Sequence, residues 1–181
     1  QDARRVAAMA AERIRDGVVA FGIGGDEARG PAPLFRDLFA WARRAGLRLT
    51  AHAGETTGPA SIREALEIGA ERIGHGIAAA EDPALLEHLR DNRIPLEICL
   101  SSNLATGAVE RIEDHPVRRL FEAGVPIVLN TDDPAMFRTS LTREFEIAQS
   151  VFGFTDAELA GIAANAFRFS FRGKPAGGAG V

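Results

Sequence analysis

The sequence predicts an α/β fold in which parallel strands alternate with helices and curl into a (β/α) barrel, and three observations carry that expectation. Apolar runs of strand length alternate with helical patterns along the 181 residues. Four of the five runs are almost continuously hydrophobic, the mark of strands covered on both faces in a parallel sheet. Polar residues then cluster just past each run: GDE at 25–27, HAGE at 52–55, HG at 75–76, SSN at 101–103 and TDDP at 131–134. Barrel enzymes assemble their sites at that rim from several strands, whereas an open doubly wound sheet concentrates them at one switch point.

The elements follow in order. QDARRVAAMAAERIRD reads as an amphipathic helix, and the strand VVAFGIG (18–24) follows it. Leu34, Leu38, Trp41, Ala42 and Ala45 recur at helical spacing and stop at Gly46, ahead of the strand LRLTA (47–51). Ser61 and Glu64 make a capping-box pattern before Leu66 and Gly69, then comes the strand ERIGH (71–75). Asp82-Pro83 opens the next helix and PLEICL (95–100) is the fourth strand. His115-Pro116 starts a helix that ends near Gly124, and VPIVLN (125–130) is the fifth strand. Two helices close the chain, the last capped by Thr155 with Glu158 and running through Leu159, Ile162 and Ala166.

One domain over residues 1–172 is expected, with a Gly-rich flexible tail at 173–181. Twenty-one basic residues against 25 acidic ones give a net charge of -4 with the signs interspersed, so the expectation is no nucleic acid and no membrane partner. The single cysteine, Cys99, can make neither an internal disulfide nor a cysteine-based zinc site, which fits a reducing compartment, here read as cytoplasmic. No run reaches the roughly 18 apolar residues of a membrane span, and the first helix is not a signal peptide. The first residue is Gln rather than Met, which points to a processed or partial chain.

A histidine at a strand end, such as His52, is either a satisfied turn residue or a metal ligand. Asp132 and Asp133 before Pro134 can equally start a turn or cap a helix. The bland readings fail to explain why a His, a Glu, a second His and two Asp residues recur at the same end of successive strands. Imidazole and carboxylate are the ligand types of a hydrolytic zinc ion, which brings the pKa of its water to about 7. The pattern supports metal-assisted hydrolysis. Ser101, Ser102 and Asn103 either line the pocket or satisfy backbone groups at the strand end. His88 reads as a solvated helix residue, His115 as a cap or turn residue, and Cys99 as a small core residue. GIGGDE is not a dinucleotide loop, because Glu27 stands where its third glycine would be.

HAGE (52–55), RIGHG (72–76), LEICLSSN with TGAV (96–109), LNTDDP (129–134) and GGDE (24–27) resemble, in order and spacing, the C-terminal part of the adenosine deaminases, metal-dependent enzymes of the amidohydrolase superfamily. The resemblance covers residues 1–172 or so and implies a TIM-type (β/α)8 barrel of which this chain carries about strands 4–8. It implies one Zn2+ per complete site, with His52 and Asp132 as ligands. Asp132 would also take a proton from the attacking water, Glu55 would protonate purine N1, and His75 would orient the attacking oxygen. Gly25 would meet purine N3 through its backbone, and Asp133 would hold N7. The implied reaction converts adenosine to inosine and ammonia, and the implied partner is a purine nucleoside or base. Adenine, aminodeoxyfutalosine and N6-modified adenine nucleotides are the rival substrates.

The family's H-x-H pair, which supplies two further zinc ligands, does not occur in this sequence. The expectation is that these 181 residues alone are inactive, and that open strand edges favour association with a missing N-terminal barrel half or with themselves. A non-catalytic barrel fragment is the alternative of another class. A cytidine-type zinc deaminase is excluded, since its signature needs two cysteines.

Overall fold

The computed structural model describes residues 2–172, so the Gly-rich tail expected at 173–181 lies outside the described residues. Five parallel strands, β1 (Ala20–Ile23), β2 (Arg48–Ala53), β3 (Arg72–His75), β4 (Leu96–Ile98) and β5 (Ile127–Leu129), form one sheet in the order β1-β2-β3-β4-β5. Strand order that never reverses, joined by right-handed crossovers, puts the connecting helices on one side of the sheet. An open doubly wound sheet would reverse its order part-way.

Helix α1 (Asp2–Glu12) precedes β1; α2 (Arg36–Arg44), α3 (Pro59–Glu67), α4 (Pro83–Asp91) and α6 (Val117–Glu122) lie in the crossovers. α5 (Leu100–Ala105) leaves the end of β4 directly, and α7 (Pro134–Phe137), α8 (Leu141–Phe152) and α9 (Asp156–Arg168) follow β5. Short 3-10 turns at Ile14–Asp16, Ala32–Phe35, Ile77–Glu81 and Ile112–Asp114 fill the connections. No helix among the described residues is long and apolar enough to cross a membrane.

Side chains on a strand point alternately to its two faces. One set, Phe21, Leu49, Ala51, Ile73, Leu96, Ile98, Ile127 and Leu129, is buried in the main core. The opposite set carries Gly22, Thr50, His52, Arg72 and Glu97, all partly or fully exposed. The expectation of strands covered on both faces holds at β5, where Ile127, Val128 and Leu129 are all buried, and is corrected in part for the others: Arg48 and Gly74 are buried on that face, but the run LRLTA also puts the half-buried Thr50 there. At the start of the strands that inner face is closed by Phe171, whose ring lies 4.6 Å from the Arg48 guanidinium and 5.0 Å from that of Arg72. Arg72 also pairs with Glu97 and donates to the Phe169 carbonyl.

The edge of the sheet at β5 is partly covered. The Pro126 carbonyl accepts from the Leu96 amide, so the Ile127 carbonyl points the other way, where the Asn165 side chain of α9 donates to it at 3.0 Å. Thr155 and Glu158 form the expected capping box, and Arg118 of α6 grips Glu158 with two 3.0 Å hydrogen bonds.

Three local expectations are corrected. The strand PLEICL ends at Ile98 and Leu100 begins α5, since a short apolar run does not distinguish strand from helix. Ser61 caps nothing: Pro59 sets the first turn of α3 after Gly58, and the Ser61 hydroxyl instead donates to the Gly58 carbonyl and accepts from the Gly54 amide. On α2 the buried side chains are Phe39 and Ala42, while Leu34, in the 3-10 turn before the helix, is 71% exposed.

Ile73 is fully buried in the middle of the sheet, so Ile73→Ala should lower stability by about 2–5 kcal/mol. Val6→Ala, at a position 56% exposed on α1, should stay within about 0.5 kcal/mol of the parent. Urea unfolding followed by circular dichroism reads both.

Candidate active site

His52 reaches the rim as the second-last residue of β2, on the inner face. Its ring sits between two glycines. Gly74 lies opposite it in the β2–β3 register, and Gly24 follows β1 on the other side. A Cβ on Gly24 would come within 2.9 Å of His52 Nδ1, which forces a shift, and one on Gly74 within 3.1 Å, which the imidazole would have to yield to by a few tenths of an ångström. Among the described residues His52 makes no side-chain hydrogen bond; its one ring contact is with His75, centroids 4.9 Å apart. Its ring nitrogens are free to act as donors to a metal.

His75 and Asp132 end β3 and follow β5, and both take left-handed backbone angles, φ 63° and 54°. Such angles in non-glycine residues cost on the order of 1–3 kcal/mol and concentrate at functional sites. They turn both side chains to one point: His75 Nε2 lies 3.7 Å from Glu55 Oε2 and 4.0 Å from Asp132 Oδ2. His52, His75 and Asp132 offer donor atoms all within 4.8 Å of one another. Burial pushes the His75 pKa below its ordinary value, Glu55 opposes that, and His52 adds to it.

The remaining side chains hold this cluster. The Ser102 hydroxyl donates to Asp132 Oδ2 at 2.7 Å. Glu55 Oε1 accepts from Thr106 Oγ1 at 2.9 Å and from Asn103 Nδ2 at 3.3 Å. Asn103 Nδ2 also faces His75 Nδ1 at 3.1 Å. Of the two readings left open for SSN, Ser102 and Asn103 follow neither: both are fully buried, line no open cleft and bond the side chains of Asp132, Glu55 and His75. Gly25, with φ 103°, is exposed just past β1. Asp133 Oδ1 caps α7 by accepting from the Met136 amide, and its other oxygen has no hydrogen bond among the described residues. Cys99 is buried as expected, and burial, reinforced by Asp132 and Glu144, pushes its thiol pKa up, which leaves the sulfur unreactive. His88 lies on the solvated side of α4 beside Asn92.

Sequence reasoning missed two groups. Glu27, in GGDE, is a buried carboxylate that accepts from the Gly54 amide, the Glu55 amide and the Thr57 hydroxyl at 3.2, 2.9 and 2.5 Å, and so fixes the HAGE turn. His115, read as a cap or turn residue, accepts from the Val117 amide but is also buried against Asn103, 3.1 Å away. A cleft of about 190 Å3 on the inner face is lined by His52, Gly74, His75, Glu97, Cys99 and Asp132. A larger cleft of about 670 Å3 lies on the other side of Glu55, between Ala78 and Val109, and contains neither imidazole.

A protein-family model described as adenosine deaminase matches residues 1–176. A Streptomyces coelicolor protein provisionally named an adenosine/adenine deaminase is 51% identical over 170 residues, 93% of this chain and 50% of the relative. An aminodeoxyfutalosine deaminase of Streptomyces avermitilis is 48% identical over 162 residues, 88% of this chain and 45% of the relative. The crystal structure of an amidohydrolase from Burkholderia ambifaria with bound zinc superposes with a TM-score of 0.84 at 27% identity, covering 94% of this chain and 49% of that one. The chain spans about half the length of the curated relatives it matches, and its five-stranded parallel sheet is the corresponding part of a (β/α)8 barrel.

Two outcomes are expected from this geometry. Gly24→Val drives a side chain into the His52 ring and should lower stability by about 1–3 kcal/mol, read by urea unfolding. Burial holds the His115 pKa down to about 3, against about 6.5 in an unfolded chain, so unfolding takes up a proton between those values. Stability is then full above about pH 6.5 and declines as pH falls toward about 3. Urea unfolding at pH 7 and pH 4.5 should show a smaller loss on acidification in His115→Phe than in the parent.

Proposed function

The chain belongs to the adenosine deaminase family, and from that membership we propose that it carries the proton-transfer and half of the metal-binding machinery of a zinc-dependent hydrolytic deaminase acting on a 6-aminopurine. Adenosine, converted with water to inosine and ammonia, is the substrate this reading favours, on the resemblance of TGAV after SSN to the adenosine branch. Aminodeoxyfutalosine is the nearest rival, supported by the 48% identity to the Streptomyces avermitilis deaminase of that compound. The observation that carries the reading is the convergence of His52, Glu55, His75 and Asp132 from the ends of β2, β3 and β5 on one small volume.

The residues fit a zinc ion. The donor set is imidazole and carboxylate, the donor atoms are grouped, and the His52 nitrogens are not engaged elsewhere among the described residues. Zinc, when bound, supplies Lewis acidity that makes hydroxide available near pH 7. His52 and Asp132 are its ligands in this reading, one family-implied site per complete barrel.

The chain's own groups do the rest. Glu55 donates a proton to the ring nitrogen N1, which makes C6 more electrophilic. It is held for that task by Thr106 and Asn103 on one oxygen and by the Glu27-fixed turn behind it. Asp132 takes the proton of the attacking water while Ser102 steadies its Oδ2. It passes that proton to the 6-amino group, which leaves as ammonia as the C6–N bond breaks and the C6 hydroxyl returns its proton to Glu55. His75 presents an N–H to the oxygen that attacks C6. The Gly25 backbone approaches N3. N7 is an acceptor, so Asp133 holds it only when its free oxygen carries a proton.

Catalytic zinc sites present about three protein ligands, and His52 with Asp132 makes two. The 181 residues alone are therefore proposed to bind zinc weakly and to turn over little; tight one-to-one binding in a calorimetric titration, with turnover, would contradict this.

The test is ammonia release from adenosine, adenine and aminodeoxyfutalosine with zinc, by the chain alone and mixed with the N-terminal half of a related deaminase. Release from adenosine in the mixture is expected, and Glu55→Gln should reduce it by about 10^2–10^4-fold. Release from aminodeoxyfutalosine instead would move the substrate to the rival. No release from any of the three in either sample would overturn the reading.

A further inference from the structure

We propose that Asn103 and His115 are positioning residues that lock His75 in the tautomer carrying its proton on Nε2; the catalytic relevance of that lock rests on the role given above to His75. The amide of Val117, at the start of α6, points at His115 Nδ1 at 3.1 Å, and a backbone N–H can only donate. His115 Nδ1 therefore carries a lone pair, and the proton of the neutral ring sits on Nε2. Burial to 3% exposure favours the neutral ring.

That Nε2–H faces Asn103 at 3.1 Å, so the Asn103 atom there must be its acceptor, Oδ1. The Asn103 NH2 is then turned the other way. It has two hydrogens and two partners in line, His75 Nδ1 at 3.1 Å and Glu55 Oε1 at 3.3 Å. Since NH2 donates, His75 Nδ1 must accept, and the His75 proton is left on Nε2. Nε2 is the nitrogen that lies 3.7 Å from Glu55 and 4.0 Å from Asp132. A donor therefore faces the two carboxylates, where the opposite tautomer would present a lone pair.

Four hydrogen bonds link Val117 on α6, His115 before it, Asn103 on α5 and the rim residues His75 and Glu55. Asn103 and His115 are both buried, so no solvent-facing alternative competes for these atoms. The same amide that orients His75 also holds Glu55, and loss of Asn103 removes both contacts together.

Long-range 1H–15N correlation spectra of the 15N-labelled, metal-free chain report which ring nitrogen of each histidine is protonated. His75 and His115 are both expected as Nε2–H in the parent. Asn103→Asp puts a carboxylate oxygen where the NH2 was and should switch His75 to Nδ1–H while His115 stays Nε2–H. His115→Phe frees the Asn103 amide to rotate and should give a mixture of His75 tautomers, and His115→Gln, which keeps an N–H near the Nε2 position, should restore Nε2–H. Either His75 as Nδ1–H in the parent, or His75 unchanged in both Asn103→Asp and His115→Phe, overturns the proposal. Should Asn103→Asp fail to fold, the His115→Phe and His115→Gln pair decides alone.

These spectra need neither metal nor substrate, so they stand apart from the outcome of the ammonia assay. In a sample that does release ammonia, Asn103→Asp should lower kcat by on the order of 10^2-fold with KM little changed, whereas simple loss of fold would remove active protein without altering the tautomer of what remains.

Discussion

The lateral register of three parallel strands is the constraint on which the site depends. It sets Gly24, just past β1, beside His52 of β2 and Gly74 of β3, so that a Cβ on Gly24 would clash with the imidazole and one on Gly74 would crowd it. A slip of one residue would turn His52 into the helix-covered core and bring Ala51 or Ala53 to the inner face, because strand side chains alternate with a period of two. The buried leucines and isoleucines of the outer face oppose such a slip, which would take Leu49, Ile73, Leu96 or Ile127 out of the core. Core packing and site geometry are thus two results of the same pleat.

From that frame the site is finished by strand-end geometry and by buried polar ties. Left-handed backbone at His75 and Asp132 turns their side chains toward His52, a local cost that the surrounding sheet sustains. Glu27 reaches from the loop after β1 to the turn after β2, and Asn103 reaches from α5 to β3. Three buried polar groups that would be costly alone are paired: Glu27 with three donors, Asn103 with His75, Glu55 and His115, and Glu144 with the Ser101 amide and the Thr139 hydroxyl. The rim is tied by hydrogen bonds at Glu55 and His75, and exposed where Gly25 and Asp133 lie.

Much of this was legible in the sequence. The βα alternation follows from helical patterns ended by Gly46, Gly69 and Gly124 ahead of apolar runs, and each of those glycines does take a positive φ at its turn. The rim residues stood out because Glu, His and Asp at successive strand ends have no packing reason to be there. What was not legible depends on contacts between distant segments. Glu27 and Glu55 are 28 residues apart, and Asn103 and His75 are also 28 apart, so no local pattern marks either tie. His115 looked like a turn residue because its contact with Val117 is local, while its contact with Asn103 needs α5 and α6 to pack. Ser61 misled because Pro59 fixes the helix start two residues earlier, and Leu100 misled because one apolar residue suits a strand end and a first helical turn equally well.

His52 and Asp132, set by that register, are proposed as the metal-binding edge of the rim, with His75 beside it as a hydrogen-bond donor. Anomalous diffraction at the zinc edge from zinc-soaked crystals of the chain tests it most directly. The account predicts a peak about 2.0–2.2 Å from one ring nitrogen of His52 and from an Asp132 carboxylate oxygen, with Ser102 still bound to Asp132. Zinc held elsewhere, with His52 and Asp132 both uncoordinated in the soaked crystal, would contradict it.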